Sequence, residues 1–180
     1  MDRSRVADGR DDAAWFDVLF EEHAAALHRY FVRRLPDGGT RADAAEDLAA
    51  EVLATAWRRR DDVPRGAELP WLYRAAGYVL ANHRRKARAV PLAVVPEVPD
   101  DVDPAALAVA DDRVRRTLAL LTPRDRQVLL LVAWDGLGRD DLAAVLGISR
   151  GGADAALSRA RARLREAWED ARPDAASGES

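Results

Sequence analysis

Residues 139–168 carry the strongest structural signal in the chain and read RDDLAAVLGISRGGADAALSRARARLREAW. A short apolar stretch containing Leu142 and Val145 runs into Gly147, the residue type that most often ends a helix in the left-handed conformation. Ser149 is a favourable N-cap for a second, longer helix. Two helices joined by a tight turn, the second rich in arginine, are typical of a helix-turn-helix that binds DNA.

The longer helix of this pair has two different faces. Its apolar face is predicted to pack inward and consists of Leu157, Ala160, Leu164 and Trp168. Arg159 and Arg163 share a row that points away from this face, and Arg161 and Arg165 lie at its flank. A solvated arginine face is the plain alternative for any amphipathic helix. The preceding helix and its turn favour DNA binding instead.

Composition excludes several classes of protein. The 180 residues contain no cysteine, which rules out disulfides and thiolate metal sites and fits a reducing cytoplasm. No apolar run approaches the ~20 residues of a membrane-spanning helix, so we expect no membrane segment in this chain. We find no phosphate-binding glycine loop or nucleophile motif, and His23 and His28 are too far apart to share a helix face. We therefore expect no catalytic residue, metal or cofactor.

The distribution of charge bears on DNA binding. The net charge is −3, and residues 89–112 contain six acidic and no basic residues. Basic clusters lie on either side of this acidic strip, at residues 84–88 and 159–165. Such a chain should bind DNA weakly alone and should need a partner that supplies affinity.

Helical spacing recurs through most of the chain, and no strand-like alternation of useful length is present, so the predicted fold is all-α. The sequence predicts two small helical domains, at residues 12–89 and 105–170. Residues 90–104 contain four prolines and several acids, which predicts an extended linker. Residues 171–180 are polar and small, which predicts a disordered tail.

Local signals place several helix ends. Residues 36–39, Pro-Asp-Gly-Gly, should end the first helix, and Asp43 with Glu46 is similar to a capping box that opens the second. Pro70 suits the first turn of a third helix that extends to about residue 89. Thr122 followed by proline is a strong start for a helix of the second domain.

The predicted third helix combines aromatic, amide and basic side chains. Cationic groups can hold phosphates, and aromatic or amide groups can receive an unstacked base. The candidates are Trp71, Tyr73, Arg74, Asn82, His83, Arg84, Arg85, Lys86 and Arg88. The alternative is a core helix whose basic end complements the helix dipole. Trp71 and Tyr73, taken singly, fit core packing better than base stacking.

The predicted second helix carries a candidate docking surface for another protein. Its candidate residues are Glu46, Asp47, Leu48, Glu51, Val52, Thr55, Arg58 and Arg59. A solvated charged face is again the plain alternative.

Taken in order, these segments resemble the extracytoplasmic-function (ECF) class of bacterial RNA polymerase sigma factors. The resemblance covers about residues 16–88 and 105–168. It rests on FDVLFEEH from Phe16, AEDL from Ala45, PWLYRAA from Pro70, NHRR from Asn82, LTPRDRQVLLL from Leu121 and GIS from Gly147.

The resemblance implies how each segment would be used. The second helix would dock on the β′ clamp helices of core RNA polymerase, and the third would melt and read the −10 promoter element. The helix-turn-helix would contact the β flap and read the −35 element. The −35 candidates are Arg139, Ser149, Arg150, Gly151, Gly152, Asp154, Ala155, Ser158, Arg159 and Arg163. An anti-sigma factor is an expected partner.

Departures from the usual family pattern leave other functions open. Asp154 and Ala156 replace the basic and polar residues common early in the recognition helix, and Gly77-Tyr78 replaces a common Arg-Asn pair. One alternative is a stand-alone dimeric helix-turn-helix regulator. Another is a protein that sequesters other regulators without initiating transcription.

Overall fold

The computed structural model describes residues 3–36, 38–87, 107, 109 and 111–171. Within these residues all regular structure is helical, as the sequence predicts. The helices are α1 (Arg3–Arg34), α2 (Arg41–Arg58), α3 (Glu68–Ala87), α4 (Asp112–Leu120), α5 (Pro123–Ala133), α6 (Arg139–Leu146) and α7 (Arg150–Asp170), with a short 3-10 helix at Arg60–Asp62. The predicted linker at 90–104 and most of the predicted tail lie outside the described residues.

The first bundle consists of α1, α2 and α3, which pack on one another. Leu27, Phe31, Val52, Leu72 and Leu80 are fully buried between them. Burial of each large apolar side chain stabilises the fold by roughly 1.5–3 kcal/mol relative to its exposed state. This core leaves the outer side of α2 and part of α3 facing solvent.

The second bundle consists of α4 to α7, and α7 contacts each of the other three helices. The inward face of α7 is built mainly from small residues, with Ala153 and Ala160 completely buried. Leu157 and Leu164 are only partly buried against this core. The small side chains let α7 lie close to α5 and α6, while Arg113 covers the Trp168 ring at 3.7 Å near its C-terminal end.

The helix starts in the second bundle follow the predicted capping chemistry. The Thr122 hydroxyl accepts a hydrogen bond from the Asp125 backbone N–H, and Pro123 occupies the first turn of α5. Ser149 caps α7 in the same way. These side chains satisfy backbone donors that have no partner within the helix.

The predicted capping box at the start of α2 is wrong. The helix begins at Arg41, with Thr40 as its N-cap and no side-chain capping bond. The Arg41 N–H instead bonds the Gly38 carbonyl at 3.1 Å, so the turn starts the helix earlier. Asp43 therefore lies inside the first turn, where its charge complements the helix dipole.

Candidate nucleic-acid interface

The α6–turn–α7 unit has the geometry of a helix-turn-helix. Gly147 adopts φ 66° at the end of α6, a left-handed backbone conformation that residues with a Cβ rarely adopt. The Ile148 N–H bonds back to the Ala143 carbonyl at 3.1 Å, which completes the end of α6. The Ser149 hydroxyl then accepts from the Gly152 N–H at 3.1 Å and starts α7. The turn is thus held at both sides, and it sets the angle between the two helices.

Most of the predicted −35 residues lie together along the start of α7, whereas Arg139 is at the start of α6 and Arg163 lies further along α7. Ser149, Arg150, Gly151, Ala155, Ser158 and Arg159 are exposed, and Gly152 and Asp154 are partly exposed. Ala156, by contrast, is a core residue with 7% of its surface exposed. The exposed set forms one continuous surface at the N-terminal half of the helix, the part that enters the major groove in DNA-binding helix-turn-helix proteins.

Two ion pairs join this surface to α6. Arg139 Nε lies 3.4 Å from Asp154 Oδ1, and Arg150 Nη1 lies 3.3 Å from Asp140 Oδ1. All four side chains are more than 40% exposed, so each pair contributes at most about 1 kcal/mol to stability. Their main effect is to place two arginines. Asp154 therefore faces a guanidinium and is not an isolated acid on the exposed side of α7.

A cleft of about 570 Å³ lies between α6 and α7. Arg139, Asp154 and Ser158 line one part of it, and Arg161 and Arg165 line another. The two latter arginines were placed by the sequence only at the flank of the apolar face. The cleft makes them candidate phosphate contacts beside the predicted −35 residues.

Arg163 forms an ion pair with another helix, although its own side chain is 51% exposed. Its Nη1 donates to Asp125 Oδ2, and the Asp125 carboxylate also accepts from the Thr122 hydroxyl at 2.6 Å. The bond joins the middle of α7 to the start of α5. Arg163 thus has a structural partner that sequence spacing alone does not indicate, because the two residues are 38 positions apart.

A second cleft, of about 650 Å³, lies on the first bundle where α2 and α3 meet. Trp71, Arg74 and Tyr78 line it from α3, and Thr55 and Arg59 line it from the end of α2. The cleft therefore brings predicted −10 residues beside predicted polymerase-binding residues. Tyr78, which the sequence marked only as a departure from the family pattern, is 43% exposed here and adds an aromatic face.

Tyr73 does not reach this cleft. It is 4% exposed and its ring lies 5.5 Å from that of Tyr30, centroid to centroid. Burial, reinforced by the nearby Asp135 carboxylate, raises the pKa of the Tyr73 phenol to about 12. In this structure Tyr73 supports the core and offers no free ring for base stacking.

The basic end of α3 is internally bonded. Arg85 donates to the Asn82 side-chain carbonyl at 2.6 Å, and Arg84 donates to the Arg34 backbone carbonyl at 2.7 Å. His83 is partly buried, and Lys86 is exposed. These bonds hold the Asn82 amide in one orientation. Arg88, the last member of the predicted set, lies outside the described residues.

The candidate docking surface on α2 is narrower than predicted. Glu46, Asp47, Glu51, Arg58 and Arg59 are exposed, and Thr55 is partly exposed. Leu48 and Val52 belong to the core, with 6% and 0% exposure, so their side chains are not available to a partner. Both residues lie on the face of α2 that packs in the first bundle, which their place in the family segment does not reveal.

Among the residues that the structure describes, no group of histidine, aspartate and glutamate side chains is arranged to hold a metal ion. None of the described helices is both long and apolar enough to cross a membrane.

Comparison with known proteins identifies the class. Residues 19–90 match the family model of sigma-70 region 2, and residues 111–164 match that of sigma-70 region 4. The chain therefore belongs to the sigma-70 family and, by its relatives, to the ECF RNA polymerase sigma factors. Proteins of this class bind core RNA polymerase and direct it to promoters.

The relatives cover most of the chain. It is 32% identical over 153 residues to the ECF RNA polymerase sigma factor SigL of Mycobacterium tuberculosis. The matched region covers 78% of this chain and 81% of SigL. It is 34% identical over 176 residues to ShbA of Streptomyces griseus, with 89% and 90% coverage.

Solved structures share the fold. CnrH, determined in complex with the cytosolic domain of CnrY, superposes with a TM-score of 0.57 at 25% identity and covers 94% of this chain and 99% of its own. The sigma factor RpoE of Bartonella quintana, in complex with the anti-sigma factor NepR, gives 0.55 at 25% identity and covers 87% of this chain and 98% of its own.

Proposed function

We propose that promoter-specific initiation by this sigma factor is divided among three surfaces. The exposed side of α2 docks on polymerase, the cleft between α2 and α3 engages the −10 element, and the start of α7 reads the −35 element. The observation that supports the proposal is the 650 Å³ cleft, because aromatic and basic side chains of α3 line it beside the end of α2, the helix proposed to dock on polymerase.

The exposed side of α2 is suited to a charged protein surface. It presents the acids Glu46, Asp47 and Glu51 along most of its length and the bases Arg58 and Arg59 at its end. The Thr55 hydroxyl, which accepts from Arg58 at 2.8 Å, fixes one of these bases. Complementary charges of this kind set register and association rate more than affinity. The docking partner proposed is the pair of β′ clamp helices.

The cleft supplies what an unstacked base needs. Trp71 and Tyr78 provide aromatic faces, and Arg74 provides positive charge for an adjoining phosphate. Arg59 also lines the cleft but is paired at 2.9 Å with Asp62, a carboxylate that lines it too. Extruding a base costs a few kcal/mol, and stacking on an aromatic side chain returns about 1–3 kcal/mol per base. Capture in the cleft would therefore offset much of the cost of melting the −10 element.

The start of α7 offers both base and phosphate contacts. Arg150, Ser158 and Arg159 are exposed there, and Arg139 is brought alongside by Asp154. An acid can accept a hydrogen bond from cytosine N4, yet it also repels phosphate. Because Asp154 faces Arg139, we propose that it acts mainly through that arginine. The β flap is the proposed polymerase contact of this bundle.

The cellular setting follows from these roles. The chain works in the cytoplasm with core polymerase, which performs the catalysis of RNA synthesis, and it requires no metal or cofactor of its own. The RpoE neighbour was solved with an anti-sigma factor, and we propose that a protein of that kind controls this chain as well.

Run-off transcription over a library of promoter sequences, with purified core polymerase and the full chain, tests the proposal. Selective new transcripts are expected and would define both promoter elements. Core binding without transcripts would indicate a sequestering protein. No binding to core would contradict the docking proposal.

A variant pair tests the cleft in the same assay. Trp71→Ala should lose most transcription from duplex promoters and regain it on a template whose −10 region is already unpaired. Phe20→Ala removes a ring that is 51% exposed outside the cleft and should behave as the parent chain does. Equal loss on both templates would show that the cleft does not act in melting.

A further inference from the structure

Asn82 lies just beyond the cleft between α2 and α3, on the face of α3 that lines it. Trp71, Ala75 and Tyr78 line the cleft from α3. Asn82 follows at the same alternation of four and three residues, which keeps side chains on one face of an α-helix. Tyr78 and Asn82 are one turn apart, which is about 6 Å along the helix axis. A strand with one base in the cleft can therefore bring a neighbouring base to the Asn82 side chain, which is partly exposed.

Arg85 determines which way the Asn82 amide points. Its Nη2 donates to Asn82 Oδ1 at 2.6 Å. A guanidinium carries only donors, so it can bond the amide oxygen but not the amide NH₂ group. The oxygen is therefore turned towards Arg85, and the NH₂ group is turned away from it. Among the residues that the structure describes, none accepts a hydrogen bond from Asn82 Nδ2, so its N–H donors are available to a ligand.

The neighbouring arginine makes a different contact. Arg84 donates to the Arg34 backbone carbonyl at 2.7 Å, which ties the end of α3 to α1. Arg85 lies one position further on, three residues after Asn82, where helix geometry places it on the cleft face. Residues three apart on a helix often pair in a way that only stabilises the helix. The Asn82–Arg85 pair differs from these because it lies beside the cleft proposed for the −10 strand.

An asparagine amide with a free oxygen favours adenine. It donates to adenine N7 and accepts from the N6 amino group, which gives two bonds at once. At Asn82 the oxygen already accepts from Arg85, and the guanidinium places a positive charge beside it. A second donor such as the adenine amino group therefore meets both competition and repulsion. Guanine presents two acceptors, O6 and N7, on the same edge, so it suits an amide that mainly donates.

We propose that Arg85 positions Asn82 as a donor that reads one unpaired base of the −10 element, and that guanine is accepted there in preference to adenine. Asn82 determines the specificity at this position, and Arg85 is a positioning residue that acts through the amide. The bond from a charged group also polarises the amide and strengthens its N–H donors. The inference rests on the −10 role proposed for the cleft, and it adds the identity of a base to that role.

Selection from a promoter library tests the inference. The −10 element is randomised, the full chain is bound to core polymerase, and the promoters that the holoenzyme retains are sequenced. With the parent chain, one position should show guanine above adenine by about 5-fold or more, because a good pair of bonds to a base discriminates by at least that factor. Asn82→Asp replaces the NH₂ group with a second oxygen, which can accept from adenine while the first stays bonded to Arg85. The preference at that position should therefore reverse.

Variants of Arg85 separate positioning of the amide from support of the helix. Arg85→Met removes the donors from a long side chain, so adenine should rise towards parity with guanine at the same position. Arg85→Lys keeps a donor and a positive charge and should retain most of the preference. Lys86→Met removes an exposed charge next to Arg85 and should weaken binding to all sequences alike.

Weaker binding or lower stability of Arg85→Met with unchanged base counts would overturn the inference and leave the pair with a structural role. If Arg85→Met does not fold, Asn82→Asp decides, because an unchanged preference in that variant overturns the inference as well. Selective transcription by a parent chain that nowhere prefers guanine to adenine in the −10 element would also overturn it and leave the proposed function intact. A chain that retains no promoter with core polymerase contradicts the proposed function itself.

Discussion

Asp125 is a single residue on which the second bundle depends. Its side chain is only 9% exposed, and it accepts hydrogen bonds from Thr122 and from Arg163. The carboxylate therefore joins the start of α5 to the middle of α7. Loss of the arginine would leave this largely buried charge with a weaker set of donors.

Arg163 and Arg159 lie one turn apart on α7 and should give opposite phenotypes. Arg163→Ala should lower the free energy of unfolding by about 1–2 kcal/mol, because it removes a charged hydrogen bond to Asp125. Arg159→Ala should leave stability within about 0.5 kcal/mol and weaken −35 binding by the holoenzyme. Urea unfolding and promoter-binding titrations separate the two effects. The reverse pattern would make Arg163 the DNA contact.

Tyr73 should make the free energy of unfolding fall as the pH becomes strongly alkaline. Burial raises its pKa from 10.0 to about 12, so the neutral phenol is favoured in the folded state. The unfolded chain loses that proton first, so stability is complete below pH 10 and falls as pH rises towards 12. The loss should be about 2–3 kcal/mol. Denaturant unfolding from pH 8 to 12 measures it, and Tyr73→Phe should remove this part of the dependence.

The first turn of α7 has a low helix propensity, although its N-cap is well defined. Gly151 and Gly152 occupy its first turn, where glycine is a poor helix former. Their surroundings differ. A Cβ on Gly151 would meet nothing within 4 Å, whereas a Cβ on Gly152 would lie 3.2 Å from the capping Ser149 oxygen.

This difference gives a matched pair of variants. Gly151→Ala should raise the free energy of unfolding by up to about 1 kcal/mol, because it lowers the conformational freedom of the unfolded chain. Gly152→Ala should gain less or lose stability, because the new methyl group crowds the cap. Thermal and urea unfolding of the free chain measure both. Equal gains would show that the cap tolerates the crowding.

If the start of α7 reads the −35 element as proposed, the α6–α7 ion pairs set the charge of that surface. Asp154→Ala should release Arg139 and remove a negative charge beside the DNA. Holoenzyme binding to a −35 duplex should then tighten a few-fold, and its salt dependence should steepen by about one phosphate contact. Asp170→Ala, at the far end of α7, should change neither quantity. Loss of binding by Asp154→Ala would show that the acid reads a base directly.

The net negative charge of the whole molecule limits how tightly the free chain can bind DNA. With a net charge of −3 it should bind promoter duplex only in the nonspecific range, with Kd of roughly 10⁻⁴ to 10⁻⁶ M at physiological salt. Addition of core polymerase should produce the specific complex. Fluorescence anisotropy with a labelled promoter measures both states. Nanomolar, sequence-specific binding by the free chain would support the stand-alone regulator instead.

Sequence reasoning was most accurate where the signal was local. Thr122, Ser149 and Gly147 were correctly predicted as helix-end residues, because capping and left-handed geometry depend on a few adjacent residues. It was wrong about the capping box at Asp43, where the preceding glycine turn starts the helix earlier. Leu48 and Val52 are buried in the structure, so their side chains do not belong to the exposed docking surface. Position in a family segment does not by itself show which face of α2 is buried.

The amino-acid sequence alone was sufficient to establish the all-α class, the helix-turn-helix and the resemblance to ECF sigma factors. Periodicity, caps and motif order are properties of neighbouring residues, so they can be read without coordinates. The contacts of Arg34, Asp135 and Arg163 could be found only from the packed structure. The sequence alone does not show whether a charged residue is solvated or buried. Arg34 and Asp135 are 101 positions apart, and only packing of the bundles brings them together.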